Sequence, residues 1–366
     1  VNLLLRPLRS VDSSDDGSDS AMANPNSPPD SCARATDRLA KRNTIPQPPA
    51  MQSRWSAAAC WIGITLGPAM AENPVMPGAD PHAVVIDDTV WIYPTHSKGP
   101  GAHFFAYESK NLSTWTEHGP VLDFKDLTWI HKDGRQQANA WAPCLIHHEG
   151  KYYFYYSVGP QSDQFPAHIG VATGASPAGP FTDSGQALLT GGNGFEAIDP
   201  FVFHDEKNNR HLFFAGGSAG AKLRVFILDP SLVRLGREIP TANPPKFTEG
   251  PFLHEHAGIY HLTYSHGGWR DASYSVHHAT SNSPLGPWTY RGCILKSDAR
   301  HKGPGHHSIF RKPGTDQWLI IYHRWNHREG NGPYHGSRSI AIDRLEHGKN
   351  GTILPVVMTD DGITKK

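Results

Sequence analysis

One pattern recurs five times along this chain and restricts its fold more than any other feature. ADPHAVVIDDTVWIYPTHS begins at Ala79, WAPCLIHHEGKYYFYYS at Trp141 and AIDPFVFHDEKNNRHLFFAGG at Ala197. TEGPFLHEHAGIYHLTYS begins at Thr248 and GHHSIFRKPGTDQWLIIYHR at Gly305. Each copy opens on a polar or small residue, often followed by Pro. An apolar strand, a short turn of Gly, Asp or Asn, and a second aromatic strand follow. In the fourth copy Ile259, His261, Thr263 and Ser265 alternate with Tyr260, Leu262 and Tyr264, the period of two expected of a β-strand. With Asp80, Trp141, Asp199, Glu249 and His306 as markers, the copies lie 50–61 residues apart.

Five self-similar units at this period predict an all-β fold, a five-bladed β-propeller. A blade cannot bury both of its faces alone, so neighbours stack around a central axis. The intervening segments each supply a strand, a polar turn and a short outer strand. S-P-x-G-P-[FW]-T recurs at 176–182 and 283–289 and marks matching turns in two blades. The tail DRLEHGKNGTILPVV is expected to latch the ring by pairing the last blade with the first.

Composition agrees. Gly and Pro number 36 and 31, and aromatics make up 10% of the chain, which suits a turn-rich β protein. Lys plus Arg equals Asp plus Glu at 34 each, so the chain lacks the basic footprint of a nucleic-acid binder.

The first seventy or so residues differ. Residues 1–50 are rich in Ser, Asp, Pro and Asn and read as a disordered tail, or as an upstream extension outside the working protein. Residues 51–71 carry Arg54, an apolar stretch and Ala69-Met70-Ala71, the layout of a secretory signal peptide. That stretch is short for a membrane span; a buried helix is the competing reading. The expectation is translation from at or near Met51, cleavage near Ala71, and an exported propeller over 72–366 with no membrane segment in its mature form. Of the four cysteines, Cys144 and Cys293 then remain, either as two buried thiols or as a disulfide.

If each copy starts at the inner strand, Asp80, Asp199 and Glu249 come from three blades, occupy equivalent positions, and converge on one pit at an end of the channel. Burying one unpaired carboxylate is costly and clustering three is worse. Glycoside hydrolysis uses such a set. One carboxyl stays protonated and gives its proton to the leaving oxygen, and another activates water or attacks directly. A third raises the acid's pKa by like-charge repulsion.

The set A-D-P-H, A-I-D-P-F and T-E-G-P-F, followed by G-P-G-H-H-S, resembles glycoside hydrolase family 43 over residues 74–358 or so. The resemblance implies a five-bladed propeller acting as an inverting α-L-arabinofuranosidase, β-xylosidase or arabinanase on plant cell-wall oligo- or polysaccharide such as arabinan or arabinoxylan. It implies Asp80 as general base, Asp199 as the group that tunes and orients the acid, and Glu249 as general acid. Inversion sets the two acting carboxyls roughly 6.5–9.5 Å apart.

The resemblance also implies a His on the axis, beside a calcium ion or a water. His306 is the candidate because it follows Gly-Pro-Gly, with His307 its rival; a plain hydrogen-bonding His is the other reading. Any calcium there is structural, and the chemistry requires no cofactor. An Arg is implied beside the innermost sugar, and Arg324 in YHRWN is the candidate, a salt bridge at a blade junction being the alternative. Trp141 is either an aromatic wall for a sugar ring or a core residue between blades. His82 is a further candidate at the pit's border.

Other chemistries fit less well. LHEHAGIYH contains H-E-H but not H-E-x-x-H, and it falls on a hairpin, which argues against a catalytic zinc site. Neighbours along a strand face opposite ways, so the adjacent His pairs cannot readily ligate together. The Gly run at 191–194 lacks a following helix and is no phosphate loop. A non-catalytic sugar-binding propeller is the rival from another class; it needs no proton donor opposite a base, and all three carboxylates are present.

Overall fold

The computed structural model describes residues 72–95 and 102–363, and the expectations for residues 1–50 and 51–71 lie outside them. Among the described residues, five antiparallel sheets follow one another along the chain. Blade 1 runs Ala79–Ile86, Thr89–Thr95, His103–Ser109 and Thr116–Asp123 from the inside outward. Blade 2 runs Asn139–His148, Lys151–Gly159 and His168–Gly174, finished by Leu189–Thr190, with Thr182–Asp183 also paired to its third strand. Blade 3 runs Phe201–Asp205, Arg210–Ala215, Arg224–Leu228 and Leu235–Ile239. Blade 4 runs Glu249–His256, Ile259–His266, Ser275–Ser281 and Thr289–Lys296. Blade 5 has His301–Arg311, Trp318–Asn326 and Ser339–Leu345. This is a five-bladed β-propeller.

The latch differs from expectation. The tail does not pair with a strand of the first blade. Instead Met76–Pro77, just ahead of blade 1, forms the outermost strand of blade 5, with Met76 opposite Ile340 and Pro77 opposite Ser339. Asn73 extends the seam: its Nδ2 donates to Ile342 O at 3.0 Å and its Oδ1 accepts from Ile342 N at 2.8 Å.

Stacking buries the second strand of each blade on both faces. Tyr152 to Gly159 is buried throughout, and the ring of Phe154 meets Phe104 of blade 1 edge-on at 5.2 Å. Burying a side chain of that size contributes about 1.5–3 kcal/mol. Tyrosines at these positions carry their hydroxyls to fixed acceptors, Tyr93 to Pro177 O and Tyr155 to Leu232 O, each at 2.7 Å. The alternation in 259–265 therefore does not separate core from solvent. His261, Thr263 and Ser265 are as buried as the residues between them, because their face packs within the ring. Cys144 and Cys293 are free thiols in blades 2 and 4, the first buried, the second half-buried.

One backbone device repeats at the inner strands. Asp80, Ala142, Asp199, Gly250 and His306 all have positive φ, between 37° and 61°. Their strands are bulged, with the pairing register slipping just there in blades 1, 2, 4 and 5. In three of the five, the freed N–H is caught by a hydroxyl from the second strand of the preceding blade. Thr95 Oγ1 accepts from Ala142 at 2.8 Å, Ser157 Oγ from Asp199 at 2.9 Å, and Ser265 Oγ from His306 at 2.8 Å.

Candidate active site

The bulges turn five backbones toward the axis, and three of their side chains, Asp80, Asp199 and His306, line one pit of about 250 Å³. Glu249 joins them from one residue before its bulge. The expected equivalence of the three carboxylates is corrected accordingly. Asp80 and Asp199 match, but Gly250 is their counterpart in blade 4, and Glu249 matches Trp141, also one residue ahead of its bulge. The X-Pro pairs Asp80-Pro81, Ala142-Pro143, Asp199-Pro200 and Gly250-Pro251 carry this alignment in the sequence itself.

The seat of Asp199 follows from an exception in the repeat. The place of Thr95, Ser157 and Ser265 is taken in blade 3 by Gly216, whose N–H bonds to Ile198 O. With no side chain there, the N–H of Gly250 donates to Asp199 Oδ2 instead, at 2.9 Å. Asp199 is thereby fixed beside Glu249.

The three carboxyls are held in different states. Burial alone would raise Asp80, but the Arg338 guanidinium and the His306 and His323 imidazoles outweigh it and hold the group well below the usual carboxylate range. Arg338 Nη1 donates to Asp80 Oδ1 at 3.0 Å, and Thr95 Oγ1 donates to Oδ2 at 2.7 Å. His323 lies against both Asp80 and Arg338: its Nδ1 is 3.1 Å from Asp80 Oδ1 and accepts the Asp80 backbone N–H at 3.2 Å, and its Nε2 is 3.3 Å from Arg338 Nη1. Burial pushes Glu249 up to about 7; Asp80 and Glu196 add to this, while the Tyr274 hydroxyl and Arg338 oppose it. Asp199 lies well above its usual range through burial and the charges of Glu249, Asp80 and Glu196. Asp199 and Glu249 titrate together, since two buried carboxyls side by side do not both ionise readily. One carboxyl kept ionised and another kept protonated near neutrality is the pairing that acid–base catalysis needs.

Aromatic rings shape the pit. Trp141 lines it, as does Trp269, over which the Arg338 guanidinium lies at 4.7 Å. Two glycines make close ring contacts possible. A Cβ on Gly159 would stand 2.0 Å from the Trp141 ring, and one on Gly305 would stand 2.2 Å from the ring of Tyr274. Tyr274 in turn donates to Glu249 Oε1 at 2.5 Å.

The remaining candidates divide. His306 faces the pit, its Nδ1 at 3.6 Å from Asp80 Oδ1 and 3.5 Å from Asp199 Oδ2. His307 points the other way, to Thr263 Oγ1. One ring nitrogen and two carboxylate oxygens do not form the cage of six to eight oxygens that calcium prefers; they fit only a cation held mostly through water. Arg324 is not among the pit-lining residues. It is fully buried at the latch, against Asn326 Oδ1, the Tyr322 hydroxyl and Asp360, so the structure gives it the salt-bridge reading and puts Arg338 at the pit. His82 is also absent from the lining; its Nε2 meets Leu145 O at 3.0 Å between blades 1 and 2, and burial lowers it to about 4. Sequence reasoning missed Glu196, Trp269, Tyr274, His323 and Arg338. Four larger clefts, about 520, 480, 470 and 410 Å³, contain none of the three carboxylates.

Comparison with known proteins decides the family. The model of glycosyl hydrolases family 43 matches residues 71–353, which takes in all five blades. This chain belongs to glycosyl hydrolases family 43. Its relatives differ in what they cleave. The family 43 chain is 34% identical over 321 residues to the β-D-galactofuranosidase xynD of Aspergillus niger, covering 82% of this chain and 89% of that one. It is 28% identical to xylosidase/arabinosidase 43A of Humicola insolens, covering 75% and 95%. Among solved structures, a family 43 enzyme of Xanthomonas citri complexed with xylose superposes with a TM-score of 0.62 at 27% identity, covering 80% and 95%. The family 43 protein is a glycosidase.

Proposed function

We propose that this glycosidase removes terminal α-L-arabinofuranosyl residues from plant cell-wall polysaccharide with inversion. The observation that carries the reading is the opposed state of two carboxyls in one pit: Asp80 held ionised, Glu249 raised to about 7. In the proposed reaction Asp80 takes a proton from a water, whose oxygen attacks the anomeric carbon. Glu249 gives its proton to the glycosidic oxygen, which leaves as a hydroxyl. Tyr274 occupies Oε1 of Glu249, so the proton is presented from Oε2. Asp199 orients the acid and keeps its pKa high. The two acting carboxyls would stand roughly 6.5–9.5 Å apart, with the water between one of them and the sugar.

The pit's volume of about 250 Å³ falls below the ~300–1,000 Å³ of sites for larger ligands. That favours a single terminal sugar over an internal stretch of polymer, and so an exo-acting enzyme over an endo-arabinanase. β-Xylosidase remains the alternative pentose reading. The 34% identical relative adds a second furanoside: β-D-galactofuranose has the ring configuration of α-L-arabinofuranose plus an exocyclic carbon. Export after cleavage near Ala71, and a structural calcium held through water at His306, are part of the same proposal.

The test is hydrolysis of p-nitrophenyl α-L-arabinofuranoside, β-D-xyloside and β-D-galactofuranoside by the wild type, Glu249→Gln and Asp80→Ala. The arabinofuranoside should be cleaved fastest. Asp80→Ala should be inert on all three. Equal rates for wild type and Asp80→Ala would reject the assignment.

A further inference from the structure

Blade 4 carries a second cluster of ionisable side chains that the pit does not use. It lies along the same strand as Glu249 but five residues on, roughly 15 Å away at the usual rise per residue. His254 and His261 are directly paired across the first and second strands of the blade, so both project from one face. His347, in the segment after the last strand of blade 5, reaches the same spot. One ring nitrogen from each of the three lies within 4.8 Å of the others.

We propose that His254, His261 and His347 form a structural site for a divalent transition metal of the zinc type.

Three observations support it. His254 Nε2 and His347 Nε2 face each other at 3.1 Å, close to the separation of two nitrogens each bound about 2.0–2.1 Å from one tetrahedral ion. His261 is fully buried, and its Nε2 has no hydrogen-bond partner. Its other nitrogen, Nδ1, meets His278 Nε2 at 2.9 Å, the kind of outer contact that fixes a ligating imidazole's orientation.

The donor set selects the ion. It is all imidazole, which suits zinc, copper or nickel and not the oxygen-seeking calcium or magnesium. The half-buried His347 borders an open groove of about 480 Å³, which gives an ion a way in. The groove also carries Arg311 and Arg344, balanced by Asp316 and Glu346. Trp318 packs against His254 and His347 at 5.1 and 5.5 Å and closes one side. The cluster escapes sequence reading because its members pair across a hairpin and from a distant segment, not along one strand. Its role would be to pin the end of blade 5 to blade 4.

The experiment uses the whole chain, stripped with a chelator and titrated with Co²⁺ and then Zn²⁺. Expected are one ion per chain, the intense visible absorption of tetrahedral cobalt, its loss on zinc addition, and a melting midpoint several degrees higher with zinc. His347→Gln, which changes the least buried ligand, should weaken binding by at least about 100-fold and abolish the zinc-dependent rise in midpoint, while arabinofuranoside turnover stays unchanged. Weak binding of several ions that His347→Gln does not alter, or a midpoint indifferent to zinc, would overturn the proposal and leave a hydrogen-bonded imidazole cluster.

Discussion

Asp199 Oδ2 accepts the backbone N–H of Gly250 at 2.9 Å, which locks a carboxyl of blade 3 to the peptide that follows Glu249. The bond stands where other blades use a Ser or Thr hydroxyl, and it makes Asp199 both a structural acceptor and an ionisable partner of Glu249. The two roles separate by mutation. Asp199→Asn keeps an oxygen for Gly250 but removes the ionisable group. It should lower kcat/KM roughly 10²–10⁴-fold. Asp199→Ala also strands a buried N–H, and should unfold with about 1–3 kcal/mol less stability than Asp199→Asn. Equal melting midpoints for the two would remove the structural role.

In the proposed reaction the proton on Glu249 bears on rate as well as on stability. That reaction requires Glu249 protonated and Asp80 ionised. The rate should fall as pH rises through about 7, and on the acid side only below the ordinary carboxylate range. The linkage runs in the same direction. Glu249 has a folded value near 7 against 4.5 unfolded, so the folded chain holds the proton more tightly. That contribution is full below pH 4.5 and is lost as pH rises through 7, about 3 kcal/mol in all. Glu249→Gln should therefore match the wild type at pH 5 and exceed it in denaturant midpoint at pH 8, while losing most activity on substrates with poor leaving groups. A wild type as stable at pH 8 as at pH 5, relative to the variant, would contradict the raised value.

Two arginines should behave oppositely. Arg338 touches Asp80, so Arg338→Met should raise the acid limb of the pH profile and cut kcat. Arg324 is enclosed at the latch. Arg324→Met should cost roughly 2–4 kcal/mol and leave kcat of the folded fraction intact. Melting curves beside pH–rate profiles for both variants distinguish the two.

Gly305 has no polar atom in its side chain, yet it should matter to catalysis. A Cβ there would stand 2.2 Å from the Tyr274 ring, and Tyr274 must move to admit it. Gly305→Ala should reduce kcat more than it raises KM, with a stability cost of about 1–3 kcal/mol. Steady-state kinetics on the aryl arabinofuranoside check this.

The blade count was legible because every blade pays out the same strand–turn–strand signal, and all three carboxylates sit in it. The one-residue offset of Glu249 was not read, since the markers were matched by charge; the Pro after each bulge residue aligns them correctly. Arg338 and Trp269 lie in loops outside the repeat, where nothing local points to the axis. Arg324 was misplaced because the end of a second strand reaches Asp80 through Thr95 in blade 1 and through His323 in blade 5, but not one residue further along. The latch rests on two residues, Met76 and Pro77, too few to carry a pattern.

That latch has a kinetic consequence. Blades 1 to 4 can each assemble from neighbouring stretches as the chain emerges, but blade 5 is completed by a segment made before any of them. Met76 must wait for Ile340, its partner at the far end of the ring. Pairings between such distant segments are slow to find, so the ring's last step is also its least local. Until it occurs, Ser339–Leu345 presents an unpaired edge of the kind that recruits other chains. Concentrated refolding is the condition under which two molecules would exchange this strand, each closing the other's ring.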